Sequence, residues 1–510
     1  MASLSSLPVE LVLRIYDFLD PGSHLDFSLI SKYLAHCSQD LLKHHRHCYA
    51  QYRMLQASTH DGTLQALLQT LVKDEIAAWH VRRLELTHVL ETKWSASPTT
   101  AASQDGLEKT AEKDRLWTDR VWATIASRAQ YSSEAYESLA QIASIEVEAS
   151  ALLHKQFIPL IGLCPKLRAL QTVPERGRSY QVDDYPEDSD RPVAALSLTL
   201  LSLAMIEDHG SATIWPGALR GLRRVSIADH RANVHSYSPS TILPFFMLPA
   251  IETVHLSTIA WDTAQQKLEC QRMFWPEDRK SGSTVQNIIF EHVNGRCVSE
   301  FIDHLLRYTP QLSTAVFNGC NFPGVDKVVR KLGRRKLETL IFRGDAGSVA
   351  NNGWSFTWDC LEALNDVRVL TVDMLATIAS STRRSEIEQR YKDETQEQFF
   401  DRFVNSVPKT VEVLIIQEAG PQRLNDDEME KVAEALVRLV KAGRCPKLTT
   451  IYADNFEFAM RRQRCAWGRY TDGGWLRTAK ETIKQHGVTM YNQDDAGTTD
   501  AYLEALLQDM

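Results

Sequence analysis

The 510-residue sequence contains no CxxC pair and no Asn-x-Ser/Thr acceptor. Its nine cysteines (37, 48, 164, 270, 297, 320, 360, 445 and 465) are scattered and odd in number, which speaks against a disulfide framework or a zinc knuckle. No run approaches 18 apolar residues, and no basic segment leads into an apolar core at the N-terminus. Neither a membrane span nor a secretory leader is therefore expected, and the chain is assigned to a reducing compartment, cytoplasmic or nuclear. GxSxG, GxxxxGK(S/T), HExxH and GxGxxG are all missing. No catalytic role and no cofactor are expected. An excess of positive charge is missing too: the formal net charge is −8. That argues against nucleic acid as a partner, and the basic clusters at Arg330-Lys331 to Lys336 and Arg461 to Arg464 read as solvated faces.

What is present is a globular composition, with 44% apolar and 24% charged residues. The N-terminal segment is the most unusual part. Pro8 suits the first position of a helix, Glu10 faces the positive end of its dipole, and Asp20-Pro21-Gly22 ends it. Glu10, Arg14 and Asp17 are the only charges between these marks, and they fall within a stripe roughly 60° wide. Val9, Leu11, Val12, Leu13, Ile15, Tyr16, Phe18 and Leu19 fill the remainder. A surface helix needs an apolar stripe of only about 100°, so this one calls for cover on two sides. A short module supplies one cover; the other is expected from a partner.

The residues Leu7-Pro8, Glu10-Leu11, Ile15, Phe18-Leu19-Asp20, Leu25, Ile30 and Ser31-Lys32 resemble the F-box, the docking motif of Skp–cullin–F-box ubiquitin ligases. The tryptophan usual near the end of that motif is absent, and Leu41, Leu42 and Tyr49 occupy the neighbourhood. The resemblance implies a Skp-family adaptor as partner, and through it a cullin. It places adaptor contacts at Leu7, Pro8, Glu10, Leu11, Ile15, Leu19, Leu25, Ile30, Ser31 and Lys32. It further implies a substrate-recognition subunit of fungal type that holds an unidentified target protein. The alternative is a repeat scaffold without a ligase role, whose first helix is merely an end cap.

Downstream, the hexamer apolar-x-x-apolar-x-apolar keeps returning. Its copies start at Val81, Leu167, Leu222, Ile251, Val285, Leu312, Leu337, Val367, Val411 and Leu448, with later intervals of 25 to 44 residues. This is the strand signature of leucine-rich repeats, stretched beyond the usual period. Pro165, Pro249, Pro310 and Pro446 each stand two residues before a copy and mark where a helix stops. Helical spacing precedes strands at Val298 to Tyr308 and Met429 to Lys441. The closing Asn or Cys of the consensus is met only by Cys320, so an irregular array is expected. The fold class read from these features is α/β: an all-helical N-terminal F-box over 1–50, a helical linker over 51–75, and an irregular leucine-rich-repeat-like solenoid over 76–510, strands inside and helices outside. Ser95 to Gln104 reads as a loop, Lys113–Gln130 and Ser133–Leu153 as helices, and 174–192 as an acidic insertion.

In such a solenoid the hexamer's apolar positions face the core and its intervening positions face a concave surface. Ile289, Val316 and Ile341 then form an apolar stripe rimmed by Glu291, Asn318, Arg343 and Asp373, and this is the expected target face. A long interrepeat loop lying over the stripe is the competing expectation. One further cluster draws notice: His44, His47 and Cys48 share a helix face at i, i+3, i+4. Lys43 and Arg46 flank it and no second ligand pair lies nearby in sequence, so a solvated polar face and no metal are expected there.

Overall fold

The computed structural model describes residues 4–58, 63–88, 157–174, 217–228, 237–272, 282–320, 322, 324–343, 358–373, 394–417, 426–453 and 474–492. The loop, the two helices and the acidic insertion expected between 95 and 192 lie largely outside these residues. The chain forms two compact units. One holds Met1–Tyr237 with Thr241–Ile251 and Trp275–Lys280; the other holds Ser238–Ser240, Glu252–Phe274 and Ser281–Met510.

The first unit opens with α1 (Val9–Asp17), α2 (Pro21–Leu29), α3 (Lys32–Cys37) and α4 (Gln39–Tyr52). Pro8 stands one position earlier than expected, as the N-cap of α1, and its carbonyl accepts the N–H groups of Leu11 and Val12. Asp20, read as a stop signal, also starts α2: its carboxylate accepts the N–H groups of Gly22 and Ser23 at 2.9 and 3.2 Å. Ser31 caps α3 through the N–H of Leu34. Buried Val12, Tyr16 and Leu34 form the small core of these helices, with Leu7, Leu19, Phe27, Tyr33, Cys37 and Leu41 packed against it. Next come β1 (Met54–Ser58), α5 (Thr63–Lys73), α6 (Glu75–His80), β2 (Arg83–His88), β3 (Ala169–Pro174) and β4 (Arg224–Ala228), with the helix Phe157–Leu163 before β3 and Gly217–Gly221 before β4. The stretch read as a helical linker, 51–75, thus holds a strand as well as a helix. The N-terminal helices belong to the same compact unit as β1 to β4.

The second unit repeats one motif. Strands β5 (Thr253–Ser257), β6 (Asn287–Glu291), β7 (Thr314–Asn318), β8 (Thr339–Arg343), β9 (Val369–Asp373), β10 (Val413–Gln417), β11 (Thr450–Ala453) and β12 (Thr489–Asn492) alternate with helices or helical turns. Val298–Tyr308 is helical as read, and the helix expected from Met429 begins at Asp426. Within each unit the strands pair in sequence order and all in parallel. The class is α/β, leucine-rich-repeat-like, as the hexamers required. All ten hexamers lie on strands β2 to β11, and their central apolar residues stand opposite one another: Val254, Ile288, Ala315, Leu340, Leu370, Leu414 and Ile451 in the second unit, every one fully buried. Strands β1 and β12 escaped the pattern. Tyr52 and Ala57 stand at degenerate positions of the first, and register puts Gly487 and Asn492 where the last needs apolar residues.

Backbone bonds do the work that an Asn ladder does in regular repeats. At the start of β1 to β3 and of β5 to β10 one carbonyl receives two N–H groups from the next turn: Arg53 from Arg82 and Arg83, Gln286 from Ser313 and Thr314, Ser313 from Glu338 and Thr339, Arg368 from Glu412 and Val413. Just ahead of this corner, the N–H of the hexamer's first residue closes a turn onto the carbonyl three residues back, as in Leu167 to Cys164 and Leu448 to Cys445. Buried thiols add ties. Cys320 donates to the Phe290 carbonyl of the preceding turn at 3.1 Å, and Cys445 to that of Pro408 at 3.3 Å.

Seven residues after the hexamer starts at Ile251, Val285 and Leu312, the backbone takes a left-handed conformation, at Thr258 (φ 57°), His292 (φ 52°) and Gly319 (φ 61°). A Cβ at Gly319 would also run into the His292 ring. Gly443 has a similar φ of 59° but open space around it. Ala at Gly443 should cost about 1–2 kcal/mol through backbone conformation alone, and Ala at Gly319 clearly more. Chemical-denaturation midpoints of the two variants check this ordering.

Candidate functional site

Folding covers one side of α1 and leaves its flanks bare. Val12 and Tyr16 face the small core, while Val9, Leu11, Leu13 and Phe18 stay exposed, Phe18 to 88%. Leu29 and Ile30, at the end of α2, are 83% and 62% exposed. Of the ten residues assigned to an adaptor, Pro8, Glu10, Leu11, Ile30 and Lys32 are exposed. Ile15, Leu19, Leu25 and Ser31 are half-buried. Leu7 is also turned inward: it packs on the core, and its carbonyl accepts the Tyr33 hydroxyl at 2.6 Å. Leu7, Leu19 and Ser31 therefore shape the module rather than its outer surface. Val9, Leu13, Phe18 and Leu29 were not among the assigned contacts, and the apolar excess of the first helix was the signal that pointed to the first three.

Three buried histidines tie these helices to α6. His24 Nε2 lies 3.0 Å from the carbonyls of Tyr16 and Leu19, which accept its proton. Its Nδ1 pairs with His45 Nε2 at 3.1 Å, and His45 Nδ1 with His80 Nε2 at 2.9 Å. With every ring neutral, the proton sits on Nε2 of all three. His80 Nδ1 ends the chain buried, with no partner among the described residues. Burial, reinforced by neighbouring positive or ionisable groups, pushes His45 and His80 down to about 4.

The face expected to be polar and solvated behaves differently. His47 is exposed, but His44 and Cys48 meet Asp74, the N-cap residue of α6. His44 Nε2 lies 2.9 Å from Asp74 Oδ2, and Cys48 Sγ lies 3.6 Å from His44 Nε2 and 3.7 Å from Asp74 Oδ2. Asp74 Oδ1 accepts the Ala77 N–H at 3.0 Å. A Cys–His–Asp nucleophile does not follow, because Cys48 is fully buried and burial with the nearby Asp74 carboxylate pushes its thiol up to about 12.

The expected target stripe is not a surface. Ile289, Val316 and Ile341 are aligned in register on β6 to β8, yet all are buried, Val316 to 2% exposure. Ile288, Ala315 and Leu340 are buried as expected, and the exposure expected of their neighbours is absent. Of the rim, Glu291 and Asn318 remain half-buried and bonded to each other, Asn318 Nδ2 donating to Glu291 Oε1 at 3.3 Å. Ser257 donates to Glu291 Oε2 at 3.2 Å, and His255 Nε2 lies 3.3 Å from the same oxygen. His255, foremost, and Ser257 hold the Glu291 carboxyl down at about 2, against the opposing effect of burial. Arg343 and Asp373 continue this column along β8 and β9, and their side chains lie outside the described residues.

No protein-family profile and no curated protein matches the chain. Among solved structures, the leucine-rich repeat-containing protein LegL7 from Legionella pneumophila is similar over 70% of this chain and 88% of its own, at 8% identity and a TM-score of 0.30. Among the described residues no helix is long and apolar enough to cross a membrane.

Three outcomes follow from this geometry. Ala at His45 strands His24 Nδ1 and His80 Nε2, and should cost about 1–3 kcal/mol per unsatisfied group in denaturant melts of the full chain. Val316→Glu should unfold the second unit as severely as Leu340→Glu, since both sites are buried. Glu291 is held below its ordinary 4.5, so the stability it contributes is complete above that pH and lost as pH falls toward about 2. The melting-temperature gap between the parent and Glu291→Gln should therefore narrow below pH 4.5 and close near 2.

Proposed function

We propose that this chain is a substrate receptor that docks through its N-terminal helices onto a Skp-family adaptor and holds a target protein with its repeats, serving a cullin-type ubiquitin ligase without catalysing a reaction itself. One observation carries the reading. After the module has folded, Val9, Leu11, Leu13, Phe18, Leu29 and Ile30 still face solvent. Exposed apolar side chains grouped on two short helices suit a protein interface, and the F-box resemblance runs through three of them, Leu11, Phe18 and Ile30. Its contribution to the reaction would be proximity: the target is held near the transfer machinery, and no bond-making group is needed from this chain. Of the expected target face, Glu291 and Asn318 remain partly accessible, with Ser257 beside them in register on β5.

A second reading is favoured by the histidine chain. His24 and His45 bind the N-terminal helices to His80 of α6, which is what an end cap of a repeat scaffold requires. A cap buries apolar surface inward, however, and gives no reason for Phe18 and Leu29 to stand in water.

The two readings separate in a binding measurement with purified Skp-family adaptor. Leu11→Glu with Phe18→Glu should abolish co-elution of the full chain with the adaptor while leaving its melt unchanged, because both side chains are exposed. No binding by the parent leaves the scaffold reading in place, and undiminished binding by this folded variant overturns the docking surface.

A further inference from the structure

His44, Cys48 and Asp74 point to a metal site: we propose that they bind one divalent cation of the zinc class through His44 Nε2, Cys48 Sγ and Asp74 Oδ2, with water at the fourth position. Imidazole, thiolate and carboxylate together are a zinc-type donor set. The geometry agrees with it. Zinc bond lengths of about 2.0–2.3 Å in a tetrahedron give ligand–ligand edges of roughly 3.3–3.6 Å. The three atoms here stand 2.9, 3.6 and 3.7 Å apart, so small side-chain adjustments admit an ion.

The surroundings are those of a supported site. His44 and Cys48 are one helical turn apart on α4 and share its face. Asp74 is held by its other oxygen, which caps α6 at the Ala77 N–H, so its Oδ2 is aimed before any ion arrives. Cys48 forms the buried floor, whereas the His44 and Asp74 side chains are 43% and 29% exposed, leaving a way in for the ion and its water. The flanking cations do not oppose an ion at this site. Lys43 is paired with Asp40 at 2.9 Å, and Arg46, two residues from His44 along the helix, projects from a different face. The missing third ligand lay 26 residues beyond Cys48, out of reach of any local spacing rule.

Binding exchanges protons for the metal: the Cys48 S–H bond breaks, an S–metal bond forms and that proton leaves to solvent, while the hydrogen that His44 Nε2 shares with Asp74 moves to Nδ1 or to solvent and frees the Nε2 lone pair. The ion would add a second link between α4 and α6, beside the His45–His80 contact.

Cobalt(II) is the probe. Titrated into the reduced full-length protein, it should bind at one equivalent with a thiolate-to-cobalt charge-transfer band and the visible bands of tetrahedral cobalt, and zinc should bleach both. Cys48→Ser should remove the charge-transfer band. Asp74→Asn, which keeps the cap, should weaken binding at least about tenfold, given that loss of even an outer-shell partner costs on the order of 10–100-fold. His47→Ala and Cys37→Ser should change nothing. If Cys48→Ser does not fold, the exposed His44→Ala decides, with the same loss expected. No charge-transfer band in the parent, or one that survives in Asp74→Asn and His44→Ala, overturns the site.

Discussion

Within each unit a repeated contact ties neighbouring strands: the carbonyl at the corner of a turn takes two N–H groups from the turn that follows. Arg53, Arg82, Arg168, Glu252, Gln286, Ser313, Glu338, Arg368 and Glu412 all play this part, and their side chains have little in common. The bond belongs to the backbone, so it survives any sequence that keeps the corner's conformation. It sets the parallel register, and register stacks Leu340 on Leu370 and Phe317 on Phe342, whose rings lie 4.7 Å apart. The core follows from that alignment. An array tied in this way tolerates intervals from 25 to 44 residues, because whatever lies between corners need not repeat.

The N-terminal helices obey a different constraint. Their common core is small, centred on Val12, Tyr16 and Leu34, and a neutral histidine chain fastens them to α6. Directional hydrogen bonds give the attachment a defined geometry that apolar contact alone does not impose. Held in this way, the helices present Phe18, Leu11 and Leu29 outward without needing them for their own packing. Attachment and outward display are thus assigned to separate residues, His24 and His45 for the first and Phe18 for the second.

The strands were legible because each hexamer carries its own apolar pattern and four of the ten follow a helix-stopping proline, as at Pro310 ahead of Leu312. The end strands were not, since Gly487 and Asn492 break the pattern and only pairing with β11 makes them part of the sheet. The inward and outward alternation at Ile288 and Ile289 was also legible, but burial of both was not, because period two reports direction and says nothing of what lies beyond. The metal-type cluster was half visible. His44 and Cys48 are neighbours by helix geometry, whereas Asp74 joins them only through the packing of α6 on α4. Likewise His24, His45 and His80 are far apart in sequence, and nothing local announces that they share two hydrogen bonds.

The most direct measurement of the account is amide hydrogen exchange on the full chain with and without a purified Skp-family adaptor. The docking surface claimed here predicts slowed exchange concentrated in peptides spanning Val9 to Ile30, with β5 to β12 unchanged. Unchanged exchange over Val9 to Ile30 at saturating adaptor, or slowing confined to the repeat strands, would contradict it.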